Sequence, residues 1–275
     1  MVAPIFYQAF QWLDSFTAIG WIHYLANKPL CQYVDRLRLI GFFLAVLFTI
    51  RSKTYTHNWN WKHGWKSYPK AFLGGVCLWG LLFIIICHFT PSIDLSRPFS
   101  FLLLMQTFLA SFAVACLEEI IFRGFLWDLL RVHHRTISAT VGLSFLFAIL
   151  HFSKCEDGCA ESIFLRSLQC AGFSILHIPQ HFQLSYFLCL YLLSSILIYA
   201  RITCQTLWSA IGFHQGLVFL LLTLRKRFTY PPHATSWWGT GRLIDSWFVV
   251  FVLCGLYGYC LQKMLSRKSQ SLPCN

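Results

Sequence analysis

Two adjacent carboxylates and an arginine interrupt an apolar stretch that reads CLEEIIFRGF, from Cys116 to Phe125. Glu119 and Arg123 are four residues apart, so on a helix they share one face and can form an ion pair. Glu118 projects about 100° around the helix from Glu119. We therefore expect Arg123 to neutralise Glu119, while Glu118 acts as a general base.

Two histidines in later apolar runs are the other ionisable candidates for a site. His151 lies near the end of the run 136–152, and His214 lies inside the run 206–224. A charge at mid-membrane costs about 2.5–3.5 kcal/mol, so such side chains face a bundle interior or a wet cavity. With alternating spans, Glu118, His151 and His214 lie about 20, 24 and 16 Å from the cytoplasmic ends of their helices. These depths predict that the three side chains meet at one level.

The composition indicates an integral membrane protein. Of the 275 residues, 57% are hydrophobic and only 12% are charged, against about 25% charged residues in a soluble domain. The formal net charge is +12, but the basic residues lie between apolar runs, as in membrane proteins that contact anionic lipid headgroups. We therefore expect a lipid bilayer, and not nucleic acid, as the partner of these charges.

The apolar runs predict an all-α bundle of about eight transmembrane helices, in a single integral membrane domain that covers residues 1–275. Six runs are long enough to cross about 30 Å of hydrocarbon. They are Ala71–Phe89, Pro98–Leu130, Thr136–Phe152, Leu184–Ala200, Thr206–Leu224 and Leu243–Leu261. Three weaker candidates, which could cross, re-enter or lie in the interface, are Ala3–Leu25, Leu39–Ile50 and Ile163–Ile178. For the second long run, we expect Ser96 as the N-cap and Pro98 in the first turn.

The charges of the loops predict the orientation of the bundle. The loop 51–70 carries five Lys and Arg residues and no acid, which places it in the cytoplasm. Strict alternation then puts PSIDLSRPF (91–99) outside and RVHHR (131–135) inside. If Ile163–Ile178 crosses, RKRF (225–228) returns inside. The same alternation puts the basic C-terminal tail outside, so the side of the last helix stays open.

Three motifs, in this order, resemble the signatures of the CAAX protease and bacteriocin-processing (CPBP, or Abi) family of intramembrane proteases, which is related to type II CAAX prenyl endopeptidases. EEIIFR matches the EExxxR motif, and FAILH, Phe147 to His151, matches FxxxH. SAIGFHQG, Ser209 to Gly216, matches the neighbourhood of HxxxN. The resemblance covers about residues 98–224, which we take as the motif-bearing catalytic core. Gly212 and Gly216 also form a GxxxG pattern that lets helices approach closely.

The resemblance implies a glutamate-dependent endopeptidase that hydrolyses a membrane-associated or lipidated protein, with prenylated substrates in the best-known members. It implies that Glu118 activates water, that His151 holds this water, and that His214 stabilises the oxyanion. The supporting residues would be Glu119, Arg123 and Phe147. The expected membrane is the plasma (inner) membrane in a bacterium and the endoplasmic reticulum in a eukaryote.

The cofactor stays open between zinc and none. Glu118, His151 and His214 could hold a zinc ion, because carboxylate and imidazole groups are zinc ligands. No HExxH pattern occurs, however, and the three residues come from separate helices. A water activated without metal by Glu118 and His151 is an equal alternative.

The third motif departs from the family at Val218, where the family has Asn or Asp. Valine cannot donate a hydrogen bond, and the loss of one oxyanion donor costs about 2.7–4 kcal/mol in a well-studied protease. We expect Gln215 to point elsewhere. This departure keeps open a non-catalytic membrane scaffold or immunity-type binding protein on the same fold. A proton-coupled transporter that uses the Glu/His cluster as a relay is a further alternative.

Overall fold

The computed structural model describes residues 2–16, 64–90, 94–95, 100–152, 182–225, 228–229, 237–239 and 243–270. The chain divides into two compact units. Met1–Thr54 and Ile149–Phe182 form the first unit, and Tyr55–Ala148 and Gln183–Asn275 form the second. The predicted segments Leu39–Ile50 and Ile163–Ile178 lie outside the described residues.

The first unit contains helix α1, Val2–Phe16, which is the first part of the segment predicted to lie in the interface. The unit also contains the last two residues of helix α5 and the turn that follows them. In this turn, Phe152 N–H donates to the carbonyl of Ile149 at 3.1 Å. The ring of Phe152 lies 5.3 Å from that of Phe182.

The second unit is a bundle of helices with two very short strands. A 3-10 turn, Trp65–Ser67, leads into the first helix of this bundle. The elements that follow are α2 (Tyr68–Phe89), β1 (Asp94–Leu95), α3 (Phe101–Glu119), a π-helical segment (Ile120–Leu126), α4 (Trp127–His133), α5 (Thr136–Leu150), α6 (Leu184–Cys204), α7 (Leu207–Arg225), β2 (Phe228–Thr229) and α8 (Trp247–Gln270).

Among the described residues, four helices are long and apolar enough to cross a membrane. They are Trp65–Phe89, Phe101–Val132, Leu184–Cys204 and Leu207–Arg225. The helix Thr136–Leu150 and the apolar part of the last helix, Trp247–Lys263, are shorter. The predicted all-α membrane class is confirmed, and the number of about eight spans stays a prediction.

Two helices begin later than their apolar runs. Helix α3 begins at Phe101, because Ser100 is extended and its Oγ accepts a hydrogen bond from Leu103 N–H at 3.2 Å. The prediction of Ser96 as its N-cap was therefore wrong. Helix α8 begins at Trp247, where Ser246 Oγ accepts from Val249 N–H at 3.1 Å.

The two strands decide the direction of α7. They pair antiparallel, with Asp94 opposite Thr229 and Leu95 opposite Phe228. The chain after α2 and the chain after α7 therefore meet at the same end of the bundle. This pairing contradicts the prediction, made for the case that Ile163–Ile178 crosses, that RKRF and PSIDLSRPF lie on opposite sides.

The antiparallel packing of α5 with α6 explains why RKRF lies at the same end of the bundle as the chain after α2. Phe145, late in α5, stacks edge-to-face on Phe187, early in α6, with the ring centroids 5.7 Å apart. Helix α5 therefore ends at the end of the bundle where α6 begins. The predicted inside position of RKRF depended on a crossing by Ile163–Ile178, which lies outside the described residues.

The contacts of α8 with α6 and α5 show at which end of the bundle α8 ends. At its start, the carbonyl of Asp245 accepts a hydrogen bond from Ser185 Oγ, at the start of α6, at 2.7 Å. Farther along, Tyr257 and Cys260 line a groove with Ile137, at the start of α5. The end of α8 therefore lies at the end of the bundle where RVHHR lies, and not at the opposite end, where strict alternation had put the basic tail.

Helix α7 is central, and its glycines pack against α2. A Cβ atom at Gly212 would lie 2.6 Å from the carbonyl oxygen of Tyr68. A Cβ atom at Gly216 would lie 2.7 Å from the backbone nitrogen of Val76. Because glycine has no Cβ atom, the two backbones touch along this seam. The other faces of α7 are directed toward α3 and α6.

Candidate active site

The imidazole of His214 lies between the two carboxylates of the EE pair. Its Nδ1 is 2.8 Å from Oε1 of Glu119, and its Nε2 is 3.7 Å from Oε2 of Glu118. The first distance is a hydrogen bond, and the second is too long for one. Helices α3 and α7 thus bring the first and the third motif together.

Glu119 is the centre of this network. Its Oε1 also accepts a hydrogen bond from Arg123 Nη1 at 2.9 Å, and both side chains are fully buried, with 0% exposure. The predicted ion pair is confirmed. One carboxylate oxygen therefore holds both a guanidinium group and an imidazole ring, which restrains the orientation of the histidine.

Phe147, from the second motif, covers the guanidinium group of Arg123. The central carbon of that group lies 4.3 Å from the ring centroid, which is a close cation–π distance. The same ring lies edge-to-face to Phe122 at 5.0 Å and to His214 at 6.3 Å between centroids. Phe147, of the second motif, thus packs against the buried charges of the first motif.

The hydrogen-bonding capacity of the buried pair is only partly used within the described residues. Arg123 Nε and Nη2 and Glu119 Oε2 have no hydrogen-bond partner there. The charges of Glu119 and Arg123 stabilise each other, because removing one partner leaves an uncompensated buried charge. The pair is therefore a strongly coupled unit.

The helix changes its hydrogen bonding at the carboxylates. The α-helical part ends at Glu119, and Ile120–Leu126, which includes Arg123, is π-helical. Short π-helical segments are rare and occur frequently at functional sites. The sequence contains no proline in this segment that would predict the change.

The site contains residues that match a known family of proteases. The model of the family described as Rce1-like, type II CAAX prenyl endopeptidase Rce1-like, matches residues 100–220. This match covers less than half of the 275-residue chain, and it shows that residues 100–220 are similar to that family. The resemblance inferred from the three motifs is thereby confirmed. No curated protein and no solved structure matches the chain.

The candidate residues of the Rce1-like segment are distributed over both units. Glu118, Glu119, Arg123 and His214 lie in the second unit, whereas His151 lies in the turn after α5, in the first unit. The predicted role of His151 beside the attacking water stays a prediction. The predicted depth of His214 was measured from the wrong end of its helix, because α7 runs in the opposite direction.

Gln215 and Tyr68 complete the surroundings of His214 in the Rce1-like segment. The Tyr68 hydroxyl donates to Gln215 Oε1, and Gln215 Nε2 donates to the carbonyl of Phe108 at 3.3 Å. Tyr68 was not among the residues predicted for the site. The sequence did contain one indication of such a partner, which was Gln215 in an apolar run, because a buried amide needs hydrogen-bond partners.

Val218 lies one turn after His214 on α7 and is partly exposed. It offers no donor at the position where the family motif has Asn or Asp. The amide of Gln215 does not replace this donor, because its two ends are already bonded to Tyr68 and Phe108. As expected, this glutamine points away from the position that Val218 leaves without a donor.

Within the second unit, the described residues offer fewer than three donors for a zinc ion. No group of three His, Cys, Asp or Glu side chains in this part of the chain is arranged to hold a metal. Nδ1 of His214 is bonded to Glu119, so Nε2 and the Glu118 carboxylate are the donors on that side. Zinc sites in proteins use at least three protein ligands. The predicted zinc ion, which would also need His151 of the first unit, stays a prediction.

Proposed function

We propose that the chain is an intramembrane endopeptidase in which Glu118 activates water. The Rce1-like match gives the protease class, and the four long apolar helices support a site within the membrane. The observation that carries the proposal is the position of His214, with Nε2 facing Glu118 and Nδ1 bonded to Glu119.

Glu118 is the proposed general base. Its side chain is 17% exposed, whereas those of Glu119 and Arg123 are fully buried. The carboxylate accepts a proton from water as the water oxygen bonds to the carbonyl carbon of the peptide. The C–N bond then breaks, and the same proton passes from Glu118 to the leaving amine.

His214 is the proposed donor to the oxyanion. While Nδ1 donates to Glu119, Nε2 can donate only if the ring carries both protons. Arg123 and His214 both bond to Oε1 of Glu119, and this contact holds the ring with Nε2 directed at Glu118. A donor at Nε2 suits an oxygen that becomes negative as the carbonyl carbon becomes tetrahedral.

The proposed substrate is a protein with a prenylated C-terminal CAAX sequence. This choice follows the description of the matching family and the apolar surroundings of the site. Such a substrate reaches the protein from the bilayer, because its lipid chain partitions into the membrane. The proposed location is the plasma (inner) membrane of a bacterium or the endoplasmic reticulum of a eukaryote.

The test compares wild type with Glu118→Gln in proteoliposomes. The probe is a fluorescence-quenched, farnesylated peptide that ends in a CAAX sequence. We expect the variant to lose about 10²–10⁴-fold in kcat, the usual contribution of a general base, with unchanged insertion and thermal stability. Retained cleavage would exclude the proposed mechanism. New protein termini seen by mass spectrometry in cells with wild type, and not with Glu118→Gln, would identify natural substrates.

Val218 supports a second candidate function, a membrane scaffold that binds a lipidated protein or peptide without cutting it. A site that lacks the second oxyanion donor can still bind the peptide. In this case, the farnesylated peptide binds wild type and Glu118→Gln equally, and neither protein cleaves it.

A further inference from the structure

Gln215 places an amide inside the bundle at a position where most neighbours are apolar. Its side chain lies on α7 and the residue is fully buried, with 0% exposure. A buried amide is unfavourable unless both of its ends are hydrogen-bonded. The partners of this amide therefore constrain the position of the helix that carries it.

The amide links α7 to two other helices. Tyr68, the first residue of α2, donates its hydroxyl hydrogen to Oε1. Nε2 donates to the backbone carbonyl of Phe108 in α3 at 3.3 Å. Because a carbonyl can only accept, this second bond fixes which end of the amide is the nitrogen.

The glycine contacts between α7 and α2 restrain rotation of α7 about its own axis only weakly, and the amide of Gln215 restrains this rotation further. Gly212 and Gly216 set the distance between α7 and α2 through backbone contact. Contacts of this kind are non-directional, so they restrain rotation of α7 about its own axis only weakly. The hydrogen bonds of Gln215 are directional. They therefore restrain the rotation of α7.

Rotation of α7 decides where the imidazole of His214 lies. Gln215 follows His214, and successive residues of a helix diverge by about 100°. When Gln215 is bonded to Tyr68 and Phe108, His214 is directed at the EE pair. An error of about 1 Å at a reacting group can cost about 100-fold in rate.

We propose that Tyr68 and Gln215 are positioning residues that hold His214 between Glu118 and Glu119. This proposal rests on the proposed peptidase function. The ring of Tyr68 is itself restrained by edge-to-face contacts with Phe112 and Trp208, each at 5.9 Å between centroids. The hydroxyl that orients Gln215 is thus held on a packed aromatic ring.

The test uses Tyr68→Phe, which keeps the ring and removes only the hydroxyl. Thr223→Val is the matched control, because it removes another buried interhelical hydrogen bond of α7, from Thr223 to Thr107 at 3.1 Å. We expect Tyr68→Phe to lower kcat for the farnesylated peptide about tenfold or more, with KM changed less than about twofold. Thr223→Val should keep kcat. Gln215→Met, which removes both bonds of the amide, should lose more kcat than Tyr68→Phe.

Equal kcat in wild type and Tyr68→Phe would overturn the proposal, and so would an equal loss in Thr223→Val. A wild type that cleaves no peptide overturns the peptidase function instead. In that case, the imidazole ¹⁵N spectrum tests the positioning, with the His214 signals identified by their absence in His214→Gln. Tyr68→Phe should shift these signals and Thr223→Val should not. Unmoved signals in Tyr68→Phe would overturn the positioning role.

Discussion

Nδ1 of His214 lies 2.8 Å from Oε1 of Glu119, and this contact joins α7 to α3 inside an apolar bundle. The two residues are far apart in the chain, and each is nearly or fully buried. The same carboxylate oxygen binds Arg123. The buried charges of the first motif therefore have a third partner on another helix.

The buried ion pair should be a strong determinant of stability. Arg123→Met removes the cation and leaves the Glu119 carboxylate uncompensated, so we expect a loss of about 3–5 kcal/mol in the free energy of unfolding. The measurement is reversible unfolding of the purified protein in detergent micelles. Arg135→Met, which removes an exposed arginine, is the control and should change the stability little. Equal stability of the two variants would show that Arg123 is dispensable.

Phe147 should contribute through its contact with Arg123. Phe147→Leu keeps an apolar side chain and removes the aromatic face, so we expect a loss of about 2 kcal/mol from a desolvated cation–π contact. Phe145→Leu is the matched control on the same helix, because Phe145 is 54% exposed. If both variants unfold at the same denaturant concentration as wild type, the aromatic face of Phe147 has no energetic role.

The glycine seam between α7 and α2 should not tolerate a methyl group. In Gly216→Ala, the new Cβ atom would lie 2.7 Å from the backbone nitrogen of Val76, so the two helices must separate. We expect a loss of about 1–3 kcal/mol, the usual cost of overpacking. Gly142→Ala is the control, because no atom lies within 4 Å of its Cβ position. The prediction fails if Gly216→Ala melts at or above the temperature of Gly142→Ala.

The ends of the bundle can be distinguished by labelling of single cysteines. In a background without the twelve native cysteines, Arg135→Cys and Ser266→Cys should react with a membrane-impermeant thiol reagent added to the same side. Thr229→Cys should react from the opposite side, because β2 pairs with β1 at the other end of the bundle. Joint labelling of Ser266→Cys and Thr229→Cys from one side would contradict the direction of α8.

Much of the local structure could be predicted because it depends on residues close in the chain. The ion pair of Glu119 with Arg123 follows from their spacing on one helix. The apolar runs predicted the positions of α2, α3, α5, α6 and α7 within a few residues at most ends. The start of α3 was missed because Ser100, which caps it, lies after Pro98, the residue that was predicted to lie in its first turn.

The orientation of the helices could not be predicted from the loops alone. The prediction assumed that each basic segment alternates with an outside loop, and it failed at RKRF. Two short strands, Asp94–Leu95 and Phe228–Thr229, decide this point by pairing residues that are far apart in the chain. Backbone pairing between such distant segments has no signature in the charges around it.

By itself, the sequence determined that this is an apolar helical protein with a carboxylate pair, an arginine and a motif histidine, because composition and helical spacing are local properties. Only the tertiary structure decided that His214 bonds to Glu119 and faces Glu118, and that Gln215 is held by Tyr68 and Phe108. These partners depend on the rotation and direction of α7. Both are set by the packing of whole helices, in which glycine contacts and buried hydrogen bonds must be satisfied at the same time.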